Sequence, residues 1–474
     1  MLLPLLLLLL QGPAAAPVAP PPPIPLATFI ALAGDDARQA DRAEAAIVKQ
    51  WDNRYAIMLV ELANFTSPQA QERIFALLER GSGQHFGTDV DRWYAWIWRI
   101  DPGTHPSYAE FKATLYASID PRFRSYFDGA PKTGIRLDEI RWGGVVRDGI
   151  PPLDHPKMLP ANQATYLADA SLVFAIELNG DARAYPKRIM AWHEMVRDRI
   201  GGEELNGVYC TLCGSMIFYR ATIKGVHHVL GTSGFLYRSN KLMYDHATQS
   251  LWSTLTGTPV VGPLVGRGLE LEPLSVVTTT WGEWRRLHPG TSVLSLETGF
   301  QRDYGEGVAY REYFATDRLM FGVPRLDSRL ANKAEVLAVR VPAAATEPLA
   351  ISVEFLSRHP VYHDRIGAEE FVVLTDRSGA NRVYASGKRR FTGWDGTSAV
   401  DSEGRRWLVS EASLMSPDGS TLRRLPAHRA FWFGWYSAFP TTRLVKERRS
   451  EAQQMCRPIR LTQQRHTTVV VNWS

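Results

Sequence analysis

A seven-residue segment occurs twice in this chain, and the repeat restricts the possible folds more than any other feature. Asp198-Arg199-Ile200-Gly201-Gly202-Glu203-Glu204 returns as Asp364-Arg365-Ile366-Gly367-Ala368-Glu369-Glu370, six of seven positions identical at an offset of 166 (364 − 198). At that offset His193 falls on His359. Further along, Trp281, Trp284 and Pro289 fall on Trp432, Trp435 and Pro440 at an offset of 151 (432 − 281), followed by the aliphatic pairs Val293/Leu444 and Leu294/Val445. Two related units packed face to face, the second with a net deletion, account for both offsets. The positions of Cys210 and Cys213 become Asp376 and Gly379 in the second unit, which therefore reads as a degenerate copy without the thiols.

The texture of the repeated part is β. Val173 to Leu178 runs into Asn179-Gly180, a strong hairpin signal, and then into Ala182 to Pro186. Ile189 to Val196 reads as a short helix carrying His193 and Glu194. Upstream the period is helical: Ala45 to Val48, Ile57 to Leu62, Ile74 to Leu78, Trp93 with Ile97, and Phe111 with Leu115. Ser67-Pro68 opens one helix, and Gly81-Ser82-Gly83 closes it. Such short helices suit either a HEAT-type hairpin stack or an irregular helical cap. The expected class is α+β: an N-terminal helical region followed by a β-rich domain of two related units. The expected boundaries are 1–25 for a leader and proline-rich linker, 26–130 for helices, 131–335 for the first β unit, 336–446 for the second and 447–474 for a basic tail.

Charge argues against a nucleic-acid surface. The formal net charge is +5, and six basic residues from Lys446 to Arg465 against Glu447 and Glu451 place +4 of it in the last segment. That segment reads as a solvated, disordered tail, and the body is nearly neutral. At the other end, the leucines up to Leu10 followed by Ala14-Ala15-Ala16 have the form of a secretory leader, too short for a membrane span, although no Lys or Arg precedes them. Export without a transmembrane segment is the expectation, to the periplasm or the exterior. There a close cysteine pair can be oxidised.

The chemistry concentrates in Trp192-His193-Glu194 and Tyr209-Cys210-Thr211-Leu212-Cys213-Gly214. Two of the three cysteines form a Cys-x-x-Cys pair, and Cys456 stands alone in the tail. A site of four cysteines is excluded within one chain. A mixed metal site takes Cys210, Cys213 and His193, with His428 or His228 as the fourth ligand, and thiolate with imidazole suits copper or zinc. The alternatives are a thiol–disulfide redox pair, with His193 or Glu194 relaying protons, and a structural disulfide in a non-catalytic scaffold or binding module. Glu194, Arg183 and Tyr185 are the candidate catalytic or substrate-orienting residues. The partner is an unidentified small molecule or protein. Arg302-Asp303-Tyr304 reads as a turn anchor before an anion site.

Several of these elements occur together in a known pattern. Gly143-Gly144-Val145, Asp148-Gly149-Ile150-Pro151, Arg183-Ala184-Tyr185-Pro186, Trp192-His193-Glu194, Tyr209-Cys210-Thr211-Leu212-Cys213, Gly234-Phe235-Leu236-Tyr237 with Asn240, and Met243-Tyr244-Asp245 resemble the DUF3179 family. So do Ser250-Leu251-Trp252-Ser253, Arg302-Asp303-Tyr304 and His428 to Phe433, over roughly residues 134 to 446. The resemblance implies one shared fold and carries no reaction with it. Thr211 stands where the family pattern has proline, and both sulfurs are kept.

Overall fold

The computed structural model describes residues 23–340 and 348–447; the leucine-rich leader, Cys456 and the basic tail lie outside them. The described residues form two compact units: those up to Thr88 with Pro102–Tyr108, and Asp89–Asp101 with everything from Ala109 onward. The helices are followed by sheets, the α+β order expected from the patterning.

Four helices, Leu26–Ala31, Ala37–Lys49, Tyr55–Ala63 and Pro68–Ser82, build the first unit. Asp36 and Ser67 cap two of them by accepting backbone N–H groups that the first turn leaves unpaired. Tyr55–Ala63 is apolar on every face except Glu61 and is buried along its whole length. The Glu61 carboxylate accepts the Tyr108 hydroxyl at 2.9 Å.

The second unit begins with the Trp-rich helix Val90–Ile100, so the helical residues of the sequence contribute to both units. Trp93, Trp96 and Trp98 are buried, and Trp98 Nε1 donates to the Asp138 carbonyl. The strands that follow trace one path twice. In the first passage a hairpin, Leu172–Leu178 and Asp181–Pro186, turns on Asn179-Gly180, both with positive φ. Helix Lys187–His193 leads into the meander Met195–Ile200, Glu203–Cys210, Ser215–Arg220. After a second meander, Val277–Thr280 pairs antiparallel with the first hairpin strand. Helix Trp281–Leu287 then brings Ser292–Leu294 back parallel to the second.

In the second passage Glu335–Val339 and Leu349–Ser352 take the place of that hairpin, and helix Val353–Arg358 is followed by the meander Val361–Ile366, Glu369–Thr375, Asn381–Ala385. Ala427–Phe431, helix Trp432–Ala438 and Arg443–Val445 close it with the same antiparallel and parallel pairings. Registers agree with the sequence offsets: Asp198 faces Leu205 as Asp364 faces Phe371. Ala184 pairs with Val293 as Ala350 pairs with Leu444. Each passage buries the same anchor. Trp284 Nε1 donates to Thr291 Oγ1 at 2.8 Å, and Trp435 Nε1 donates to Thr442 Oγ1 at 3.0 Å. Each threonine donates in turn to the backbone carbonyl opposite, of Ala182 and of Pro348.

Candidate functional site

The Cys-x-x-Cys pair occupies the turn between strands Glu203–Cys210 and Ser215–Arg220. Cys213 N donates to the Cys210 carbonyl at 3.1 Å, and Gly214 leaves the turn at φ +60°. A side chain at Gly214 is strained twice, because a Cβ there comes within 2.9 Å of the Phe431 ring. The second passage makes the same turn one residue shorter. Gly379 N donates to the Asp376 carbonyl at 2.8 Å, and the Asp376 carboxylate is spent on Ser378, Ala380 and Arg382.

Both thiols are free and buried. Cys213 is fully buried, 2.9 Å from Asn240 Oδ1 and 3.3 Å from the Ser239 carbonyl, either able to accept its S–H. Burial, with Cys210 beside it, pushes the Cys213 thiol well above its ordinary pKa. The pair sits between two strands and not at the N-terminus of a helix.

Cys210 lines a cavity of about 390 Å³. Its walls are Trp142, Val145, Ile150, Phe235, Leu236 and Phe321, and at Cys210 it also meets Thr211, Glu194, Lys241 and Tyr310. Glu194 follows helix Lys187–His193 in the left-handed conformation, φ +56°, where glycine is the usual residue. That reversal places its carboxylate in the cavity. Glu194 Oε2 accepts from Lys241 Nζ at 2.7 Å, and Oε1 accepts the Tyr310 hydroxyl at 3.1 Å. The ion pair is buried on both sides, at 6% and 9% side-chain exposure, so neither charge has water to fall back on. Tyr310 also has positive φ, as do Arg238 and Ser239 in the turn that holds Cys213. Four strained non-glycine residues therefore border one site, the distribution expected where geometry serves function.

The other residues singled out from sequence are held elsewhere. Pro151 O can only accept, so it takes the proton on His193 Nδ1 at 2.9 Å; Nε2 then accepts the Tyr304 hydroxyl at 2.6 Å. Burial pushes His193 down to about pKa 4, and the ring is a neutral link between Pro151 and the Arg302-Asp303-Tyr304 turn. Arg183 and Tyr185 converge on Asp198, at 2.7 and 2.6 Å, and form a buried anchor across two strands. His428 lines a small separate cavity with Tyr219, Arg340 and Trp435, and burial lowers it to about pKa 3. The aromatic segment of the second passage does reach the thiols, but through Phe431, whose backbone N–H donates to the Cys213 carbonyl at 2.6 Å. His428 is three residues away on the same strand and so faces the other side. His228 is paired with Asp245 at 2.6 Å.

The four-ligand set of Cys210, Cys213, His193 and His428 is therefore not assembled. Among the described residues no three His, Cys, Asp or Glu side chains gather to hold a metal ion. Sequence reasoning named Glu194, Cys210 and Cys213, met Asn240 only within the family resemblance, and missed Lys241 and Tyr310. Lys241 alternates along a strand whose neighbours, Asn240 and Met243 to Asp245, carried the family resemblance, and that was the available signal.

No helix is long and apolar enough to cross a membrane among the described residues. No curated protein and no solved structure matches the chain. A family model described as a protein of unknown function, DUF3179, matches residues 147–442, which contain the thiol turn with Glu194, Lys241 and Tyr310. The chain belongs to the DUF3179 family.

Proposed function

We propose that the Cys210–Cys213 pair is a thiol–disulfide redox centre acting on a small molecule bound in the cavity. The observation that carries this reading is the layering of the two cysteines: Cys210 opens on the cavity, and Cys213 lies fully buried on the same turn, its N–H bonded to the Cys210 carbonyl at 3.1 Å. Cys210 loses its proton to Glu194 and attacks one sulfur of a bound disulfide, so that a Cys210–substrate bond forms and the substrate S–S bond breaks. Cys213 then attacks Cys210 and displaces the second sulfur. Two electrons pass from the cysteines to the substrate, and the two thiol protons end on the released thiols. Lys241 and Tyr310 hold the Glu194 carboxylate in place for the proton. At 2% exposure Cys210 is out of reach of a disulfide on a folded protein, which supports a small substrate.

Intact mass after treatment with dithiodipyridine tests the assignment. With the tail thiol removed by Cys456→Ser, Cys213→Ser is expected to retain one thiopyridyl adduct on Cys210, while the Cys456→Ser parent ends as an internal disulfide without adduct. An unmodified Cys213→Ser protein, under conditions where the urea-unfolded protein reacts, sinks the reading.

Two thiols on one turn also favour a soft metal ion, copper or zinc, as a second reading. Metal uptake lost in both Cys210→Ser and Cys213→Ser, with no reaction toward the disulfide probe, selects it. We further propose that the two passages of the sheet arose by internal duplication, with the redox pair confined to the first, and that the protein is exported. N-terminal sequencing of the exported form, expected to begin roughly 14 to 25 residues in, tests the last point; an intact Met1 in a cytosolic fraction opposes it.

A further inference from the structure

The meander edge that precedes the thiol turn has a counterpart in the second passage, and the two edges differ in charge. In the first, a cavity lined by Asp154, Arg197 and Glu204 has its guanidinium neutralised, because Arg197 is ion-paired to Asp154. In the second, a cavity of about 280 Å³ is lined by His363, Arg365, Glu370, Ser386, Arg389 and Arg390. The matching strand positions are confirmed by register, Arg199 opposite Glu204 and Arg365 opposite Glu370. Among the described residues no carboxylate takes the part of Asp154 here. The Asp364 carboxylate on this edge is bound by both Arg443 nitrogens, at 2.9 and 3.0 Å, and by the Tyr362 hydroxyl.

Among the described residues Arg365, Arg389, Arg390 and Glu370 form no ion pair, which leaves three guanidinium groups against one carboxylate. The loop that carries two of them is fixed. Arg389 N donates to the Ser386 carbonyl at 3.0 Å across a turn opened by Gly387 at φ +53°. The Arg389 guanidinium lies over the Trp407 ring, 4.9 Å from its centroid, which costs it no donor. His363 is not free to serve as a counter-charge: the Phe391 backbone N–H donates to its Nε2 at 2.9 Å, and burial lowers its pKa.

We propose that this cavity binds a tetrahedral oxyanion, a phosphate or sulfate group either free or carried on a small ester. Planar guanidinium groups match the paired oxygens of such a dianion, and a preset turn spares the entropy of gathering them. Titration of the full chain with inorganic phosphate, and separately with phenyl phosphate, tests it by calorimetry at near-physiological salt. One saturable equivalent is expected, weakened about tenfold or more in Arg389→Gln/Arg390→Gln, as loss of two charge-assisted contacts requires. Binding is expected to be unchanged in the exposed control Arg325→Gln. Tighter binding of phenyl phosphate assigns an ester, and equal binding assigns the free ion. Affinity retained by the double variant, or retention on heparin with no saturable phosphate binding, overturns the proposal; matching circular dichroism and thiol counts exclude misfolding.

Discussion

Glu194 shows at residue scale how one side chain can bear stability and chemistry together. Its left-handed backbone costs on the order of 1 kcal/mol relative to glycine, and its carboxylate is the counter-charge of buried Lys241. Removing one member of a buried ion pair strands the other, so Glu194→Ala is expected to cost about 3–5 kcal/mol in urea unfolding. Glu194→Gly should cost about 1 kcal/mol less, because it relieves the backbone. Glu194→Ala/Lys241→Met should recover much of the loss, and a double variant no better than the single would show that the pair is not the source. His193 gives a pH dependence. Held neutral at a pKa of about 4 against an ordinary 6.5, it contributes roughly 3 kcal/mol above pH 6.5 that is lost as pH falls through 4. His193→Gln should flatten the fall in unfolding free energy between pH 7 and pH 5. Cys213 acts at the other end: its raised pKa makes its contribution complete below the ordinary thiol value of about 9 and lost at more alkaline pH.

At the scale of elements the thiol turn is specified by its packing partners more than by its own residues. Gly214 is required by both its φ and the Phe431 ring behind it. Gly214→Ala is expected to destabilise by about 2–3 kcal/mol and to speed alkylation of Cys213, since the ring that covers it must move. Unchanged stability would mean that the segment Ala427–Phe431 yields easily. A turn between strands gives the thiols no helix dipole. In the proposed thiol chemistry activation of Cys210 falls to Glu194, and the rate of Cys210 alkylation at pH 7 should drop about tenfold or more in Glu194→Gln, by the scale of lost general-base assistance.

Across the whole molecule the two passages of the sheet keep one framework and differ in what they hold. The Trp284–Thr291 and Trp435–Thr442 anchors are fully buried and bond to equivalent carbonyls. Trp284→Phe and Trp435→Phe should therefore cost similar amounts, about 2–3 kcal/mol each for a lost buried hydrogen bond and lost volume. Costs that differ more than twofold would show that the passages carry unequal shares of the stability. The corresponding turns differ: one holds two thiols, the other a buried Asp376–Arg382 pair at 2.8 Å.

The amino-acid sequence by itself determined the α+β order, the family and the Cys210–Cys213 pair, because these depend on local period, on the order of motifs along the chain or on spacing within one turn. Glu194 was also legible, as the residue beside the histidine. The companions of the thiols were decided by tertiary structure alone. Whether His193 or Glu194 entered the cavity depended on a left-handed reversal at the end of a short helix. Whether His428 or Phe431 reached Cys213 depended on strand parity across a contact more than two hundred residues long in sequence (431 − 213 = 218). Lys241 and Tyr310 meet Glu194 only because separate strands and loops fold onto it, and no periodicity along the chain records that meeting.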